Sequence, residues 1–260
     1  MGGRGSSSAG KATIMAAGAS IPQLTIPAPS QTFIPTPTGV HFHNVTAHKF
    51  KQLFQQQGQV IDTYDIDTQL AIMQYIRRDH DDGNYTMSQK MNQKLRDIAE
   101  GKQGVMLNST EQATYGALKQ AMHPLGVNAV LTRAGHQGFV QRLLADIGAK
   151  STNYEDYSEA QLNQMLKGVE YTENKFCSAS ADESKNPFIT GKSSGGREVI
   201  VKYNTPRSAK VVFGDITQTE VILDPTTRYK VTGVEYTGKI ATPRNAPSKR
   251  QIIVYVDVSA

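Results

Sequence analysis

A single cysteine, Cys177, is the whole thiol content of this 260-residue chain. Neither an internal disulfide framework nor a multi-cysteine metal site can be built from it, and a lone thiol fits a reducing compartment. Long apolar runs are missing as well: none approaches the ~18 residues that a membrane span requires. Met1 to Lys11 is Gly/Ser-rich with one Arg and one Lys, and lacks the basic-then-apolar order of a secretory leader. These absences are read as a soluble protein made in a cytoplasm. Blocks of like charge are also absent. The formal net charge is +5, and the richest cluster, Lys239 to Arg250, spreads four basic residues over twelve positions. That spread reads as a solvated basic surface, with attraction to nucleic acid left open. His41, His43 and His48 have no matching carboxylates or thiols nearby, and Asp79–Gly83 lacks the spacing of a calcium loop, so no metal is expected.

What is present is enough apolar residue, 38%, to bury one sizeable core. Residues 1–45 read as a flexible tail, because Gly, Ser, Ala and Thr dominate and prolines recur at 22, 27, 29, 35 and 37. Two segments imitate a phosphate-binding loop and fail. Gly5 to Lys11 has no Ser/Thr after the lysine, and Gly191-Lys192-Ser193 has Asn186 where the first glycine belongs. From 46 to 122 the period is helical. Phe50, Leu53 and Phe54 share a face with Gly58 as the expected stop; Thr68–Arg78 follows; Ser88 is the expected cap of a helix with Met91, Leu95 and Ile98; Thr110–Met122 comes last.

Beyond Gly126 strands take over. Val127–Thr132 is followed by helices at Gln137–Gly148 and Ser158–Gly168, the second opened by Ser158 with Gln161 three residues on. Strand-like runs then occupy Lys175–Ser178, Glu198–Tyr203, Ala209–Phe213, Glu220–Leu223, Tyr229–Tyr236 and Gln251–Val258. Helices first and strands later indicate an α+β fold.

Three short segments carry the candidate chemistry. In Val130-Leu-Thr-Arg133-Ala-Gly135 an apolar strand delivers an arginine, whose planar fork suits a diphosphate, followed by small residues. In Phe176-Cys-Ser178-Ala-Ser180, alternation puts Phe176, Ser178 and Ser180 on one face, opposite Cys177 and Ala179. Phe188 follows and offers a flat surface for a ring. In Phe213-Gly-Asp215-Ile-Thr-Gln218-Thr-Glu220, Gln218 and Glu220 lie two apart at a strand start and face one side. Alone, each segment reads first as an ordinary strand end: a surface arginine, a serine-rich end with a core phenylalanine, and an edge-strand Gln and Glu facing water.

Taken in this order, the three segments resemble the bacterial ADP-ribosyltransferase exoenzymes of the Arg–Ser–Glu class. The Rho-modifying clostridial exoenzymes and the catalytic chains of actin-modifying binary toxins are similar. Gly135-His-Gln137-Gly-Phe139 and Asp224-Pro-Thr-Thr-Arg228-Tyr-Lys-Val231 resemble further segments of those toxins, and the likeness spans about 85–258, most specifically 174–232. Met1 to Ser8 weakly resembles segments of bacteriophage minor head proteins.

The resemblance implies an ADP-ribosyltransferase-like mixed β-sandwich core with preceding helices and a disordered tail at 1–45. Residues 46–260 would be the transferase domain, with a helical part at 46–122 and an NAD-binding core at 123–260. NAD would be the co-substrate and no metal would be needed. Glu220 would be the catalytic carboxylate, Ser178 would fix it and the ribose, and Arg133 would hold the phosphates. Gly135, Gln137, Ser180 and Phe188 would be further cofactor contacts. Gln218 would orient the acceptor, with Phe213 and Asp215 on the target-recognition loop. The acceptor would be a macromolecule, a host protein first, reached from a virion or by delivery into a host cytoplasm, or by a secreted effector. Gln-x-Glu accompanies acceptors other than arginine, because a neutral amide cannot neutralise a guanidinium. The chain departs from the pattern at Ala179, Thr132 and Asp215. Two alternatives stay open: guanine in nucleic acid as acceptor, and a virion structural protein that keeps the fold without turnover.

Overall fold

A computed structural model describes residues 39–76, 86–186, 189–190, 197–242 and 247–259. Four helices lead: α1 (Ala47–Ile61), α2 (Ile66–Ile76), α3 (Met87–Ala99) and α4 (Ser109–Ala121). Thr46 caps α1 by accepting from Lys49 N at 3.2 Å. The helix runs through Gly58, the expected stop, because the Gly58 carbonyl accepts from Asp62 N at 2.9 Å and completes the last turn. Ser88 is not the cap of α3 either. Thr86 is, since its box partner Gln89 sits three residues on and its Oε1 accepts from Thr86 N at 2.9 Å; Ser88 has Met91 at that spacing. Asn108 and Glu111 make the same reciprocal box at α4.

Met91, Leu95 and Leu118 are fully buried and form a cluster with Ile72 and Tyr75 from α2 and with Phe176, Val212 and Ile222 from the strands. Helices α2, α3 and α4 are therefore seated on one sheet face, each such side chain contributing roughly 1.5–3 kcal/mol on burial, whereas Phe50 and Leu53 of α1 join the main core. Asn92 ties the layers by hydrogen bonds as well. Its Oδ1 accepts from Phe176 N at 3.1 Å and its Nδ2 donates to Phe176 O at 3.2 Å, so one amide serves as strand partner to a whole residue.

The strands are β1 (His123–Pro124), β2 (Ala129–Gly135), β3 (Glu170–Thr172), β4 (Cys177–Ser180), β5 (Val199–Thr205), β6 (Lys210–Phe213), β7 (Glu220–Leu223), β8 (Arg228–Ala241) and β9 (Lys249–Val258), with α5 (Gly138–Asp146) and α6 (Glu159–Leu166) between β2 and β3. All nine hydrogen-bond as one mixed sheet in the order β1-β6-β7-β4-β2-β5-β9-β8-β3, in which β5 and β9 are the parallel pair. The expected α+β class with leading helices is thus found. Ser158 and Gln161 do form the box that opens α6. Two short strands escaped the sequence reading, β1 and β3, and β8 extends five residues past Tyr236 to close against Lys249.

The main core lies on the other sheet face, where Leu131, Val201 and Val254 meet Leu143, Leu144 and Leu162 of α5 and α6. The folded unit reaches back before 46: His43 bridges Ala129 and Val45 is buried in this core, so the expected tail boundary moves toward the N-terminus. Residues 1–38 lie outside the described residues. No helix among the described residues is long and apolar enough to cross a membrane.

Candidate active site

Strand register explains why three remote segments meet. Glu220 of β7 pairs with Ser180 of β4, and Ser180 pairs with Thr132 of β2, a single row across three neighbouring strands. With ~4.8 Å between strands, the Arg133, Ser178 and Glu220 segments lie within about two spacings of each other. The face assignment of β4 also holds. Phe176 joins the cluster under the helices, and Cys177 and Ala179 join the main core. The departure at Ala179 therefore falls on the face that the main core packs against.

Glu220 is carried by the β6–β7 hairpin. Gly214 N donates to Glu220 O and Glu220 N donates to Asp215 O, both at 2.9 Å, and a 3-10 turn over 216–218 closes the loop. Thr219, the middle residue of Gln-x-Glu, takes the left-handed conformation at φ 49°, ψ 41°. A β-branched residue there costs on the order of 1–3 kcal/mol and persists only when its surroundings hold it. They do: Thr219 Oγ1 accepts from Asp182 N at 3.0 Å and lies 2.8 Å from Ser180 Oγ, and Thr219 O accepts from Ala181 N at 2.9 Å.

The Glu220 carboxylate rests on Gly214, and its Oε2 accepts from Asp215 N at 3.1 Å. A Cβ on residue 214 would stand 2.5 Å from that oxygen and 2.9 Å from Cδ, so only glycine leaves the carboxylate room. Asp215 holds the turn with both side-chain oxygens. Oδ1 accepts from Thr217 N and Oγ1 at 2.7 and 2.6 Å, and Oδ2 accepts from Gln218 Nε2 at 3.2 Å.

Arg133 reaches toward the main core, where Nη1 donates to the Cys177 sulfur; Tyr203 Oη lies 3.6 Å from the same sulfur. The sulfur first, then the Tyr203 hydroxyl and the Glu173 carboxylate, raise the guanidinium pKa further above its already high value against the opposing effect of burial. It is a fixed cation.

Two adjoining cavities share Arg133 and Ala134. The first, of about 370 Å³, is lined by Gln89, Ser178, Ala179, Ser180, Asn186, Gln218 and Glu220. The second, of about 330 Å³, is lined by Gly135, His136, Phe139 and Tyr203 and by the charged groups Arg96, Arg142, Glu173 and Lys175. Burial alone would raise the pKa of Glu173, but Lys175, Arg133 and Arg142 overcome it and hold the carboxyl at about 2.

The structure thus brings Arg133, Ser178, Ser180, Gln218 and Glu220 to one cavity and Gly135 to its neighbour. It alters the reading of five other points. Phe213 cannot meet a target: it is 3% exposed, packs edge-on to Phe50 with centroids 5.4 Å apart, and its N–H donates to the buried Gln57. Ile216, 40% exposed, is the apolar side chain on that turn. The Asp215 carboxylate is engaged by the turn itself rather than presented outward. The Ser180 hydroxyl is committed to the Gln218 and Asp182 carbonyls, each at 2.8 Å, and so supports the turn. Gln137 lines neither cavity and stands half-buried at the start of α5. Among the described residues no hydrogen bond joins Ser178 to Glu220; the backbone of Asp215 fixes the carboxylate instead. Phe188 lies outside the described residues. Sequence reading missed Gly214, Arg96, Arg142, Glu173 and Lys175, of which only the glycine sat inside a recognised motif.

The fold matches that of bacterial ADP-ribosyltransferases. The Clostridium limosum C3 exoenzyme is 17% identical with a TM-score of 0.58, covering 86% of this chain and 100% of that one. C3stau2 from S. aureus, solved with NAD, is 19% identical with a TM-score of 0.58 over 84% of this chain and 99% of its own. The enzymatic component C2-I of the Clostridium botulinum C2 toxin is 15% identical with a TM-score of 0.54; 80% of this chain matches 46% of that protein. No family model and no curated protein matches the sequence. The likeness establishes an ADP-ribosyltransferase-like fold.

Proposed function

We propose that this chain is a mono-ADP-ribosyltransferase that takes ADP-ribose from NAD, releases nicotinamide and modifies a protein side chain other than arginine. The observation that carries this reading is the strand row Thr132–Ser180–Glu220, which sets a guanidinium, a hydroxyl, an amide and a carboxylate around one cavity on this fold. The similarity to C3stau2, a structure solved with NAD, supports the choice of dinucleotide.

Each group then has one task. Arg133, a permanent cation, holds the diphosphate by paired hydrogen bonds. Ser178, which lines the cavity, meets the ribose. As the bond from ribose C1 to the nicotinamide nitrogen breaks, its electron pair leaves with nicotinamide and positive charge grows on the sugar. Glu220, already oriented by Asp215 N–H and Gly214, stabilises that charge without reorganising. Gln218, tethered to Asp215, orients an acceptor whose heteroatom bonds to C1 and gives up its proton to solvent. Being neutral, Gln218 matches an amide acceptor and fails to neutralise a guanidinium.

Nicotinamide release from NAD should fall roughly 10²–10³-fold in Glu220→Gln, the scale set by loss of one preorganised electrostatic group. Wild-type turnover by the glutamine variant would end the proposal. Mass spectrometry of labelled targets checks the acceptor, and modification on arginine would overturn that part alone.

A further inference from the structure

The second cavity carries more positive charge than a dinucleotide diphosphate can balance. Arg96 arrives from α3, Arg133 from β2, Arg142 from α5 and Lys175 from the residues before β4, and all four line the cavity around one carboxylate, Glu173. Glu173 is 4% exposed and holds Lys175 at 3.1 Å and Arg142 at 3.6 Å. The formal excess is therefore three positive charges. Among the described residues, Arg96 Nε is buried without a hydrogen-bond partner, and Arg142 Nη2, likewise buried, has only the long ion-pair contact to Glu173. A buried donor left unpaired costs about 1–3 kcal/mol, more when charged, so with three excess positive charges the ring favours a further anionic acceptor beyond those that the described residues supply. Lys175 shows the same imbalance: burial first and the Arg133 charge second push its pKa down. His136, two-thirds exposed at the rim, is pushed down by burial and by Arg197 and is not counted among the cations. At α5 the helix start opens onto this space without a side-chain cap, and a Cβ on Gly138 would meet nothing.

We propose that this cavity accepts a phosphate ligand bearing at least three negative charges, one phosphate beyond the diphosphate of NAD. The proposal rests on the transferase reading only for the dinucleotide scaffold. A third phosphate could come from a 2′-phosphorylated dinucleotide, which would make the enzyme accept NADP, or from a nucleoside triphosphate, which would compete with NAD. The shared chemistry is the additional phosphate against Arg96 and Arg142.

The test measures dissociation constants on the full chain by calorimetry for ADP-ribose, ADP-ribose 2′-phosphate, ATP and inorganic triphosphate. In wild type, at least one of the two nucleotide probes should bind about tenfold tighter than ADP-ribose, the size of one charged hydrogen bond. That ratio should collapse toward unity in Arg142→Gln and in Arg96→Gln, with thermal melts confirming both variants as folded. Tighter ADP-ribose 2′-phosphate identifies NADP as co-substrate, and tighter ATP alone identifies a competing nucleotide. Equal affinities for all three nucleotides, or a preference that survives both substitutions, overturns the proposal. Inorganic triphosphate separates the two readings. Arginine-dependent triphosphate binding without any NAD consumption would sink the transferase reading and leave this one standing.

Discussion

Gly214→Ala should disable the site while leaving the fold intact. The added Cβ would lie 2.5 Å from Glu220 Oε2, 2.9 Å from Cδ and 3.0 Å from Cγ, and all three atoms belong to one flexible side chain. The carboxylate can swing away, so relief costs the fold little. The backbone does not resist, because Gly214 sits outside the left-handed region, and replacing glycine at a compatible position stabilises by about 0.4–1 kcal/mol through the unfolded state. What the swing removes is the 3.1 Å hydrogen bond from Asp215 N and the orientation it fixes. A displacement of about 1 Å in a reacting group costs on the order of 10²-fold in rate. Nicotinamide release should therefore drop about 100-fold in kcat, with KM for NAD nearly unmoved and the melting temperature within a few degrees of wild type. A variant with undiminished kcat would show that the carboxylate position at Gly214 is irrelevant to turnover. Equal loss of activity and stability would show that the glycine serves the hairpin rather than the carboxylate.

Three further outcomes follow from packing and charge. Phe213→Ala should destabilise by about 3–5 kcal/mol in urea melts, as for other buried aromatics, because the ring fills the core beside Phe50; unchanged stability with altered acceptor preference would restore it to the recognition loop. Thr219→Val removes the acceptor of Asp182 N and should cost about 1–3 kcal/mol, with Thr219→Ser recovering most of it; a valine variant as stable as wild type would contradict the clamp. Glu173 has a folded pKa held near 2 by Lys175, Arg133 and Arg142, below the usual carboxyl value. A depressed pKa means stability present above about pH 4.5 and lost as pH falls toward 2, on the order of 3 kcal/mol. Urea midpoints of Glu173→Gln should therefore be flatter across that window than those of wild type, and parallel curves would refute the ion cluster.

Local signals in the sequence were read well where the responsible contacts are local. The Ser158–Gln161 box, the alternation of Phe176 to Ser180 and the start of β7 at Glu220 each depend on residues within five positions, and each is found. Where a competing local rule existed, choosing between rules failed. Thr86 and Ser88 both suit a cap, but only Thr86 has a Gln three residues on. Gly58 looked like a stop because glycine weakens helices by about 1 kcal/mol relative to alanine, yet burial of Gln57 against β6 and of Phe50 and Leu53 anchors the turns before it. Burial of Phe213 was not legible at all. Its neighbours Phe50 and His123 lie far away in sequence and cover it only once α1 and β1 dock.

The charged cavity shows the same limit from the side of function. Arg96, Arg142 and Lys175 belong to no shared motif; they stand on a helix before the sheet, a helix after β2 and a lead-in to β4, and only the fold makes them neighbours. By contrast, the residues of the first cavity were legible as types while their division of labour was not. Ser178 and Ser180 are equivalent in sequence, two apart on one face. The sheet separates them, because Ser180 stands in the row with Thr132 and Glu220 and its hydroxyl is drawn under the 218–219 turn. One serine therefore holds the strained turn that aims the carboxylate, and the other lines the cavity without a side-chain hydrogen bond to that turn. Ser180→Ala should then lower stability and kcat together, whereas Ser178→Ala should spare the melt and act on NAD turnover. A reversed pattern in paired melts and kinetics would mean that the roles of the two hydroxyls are exchanged.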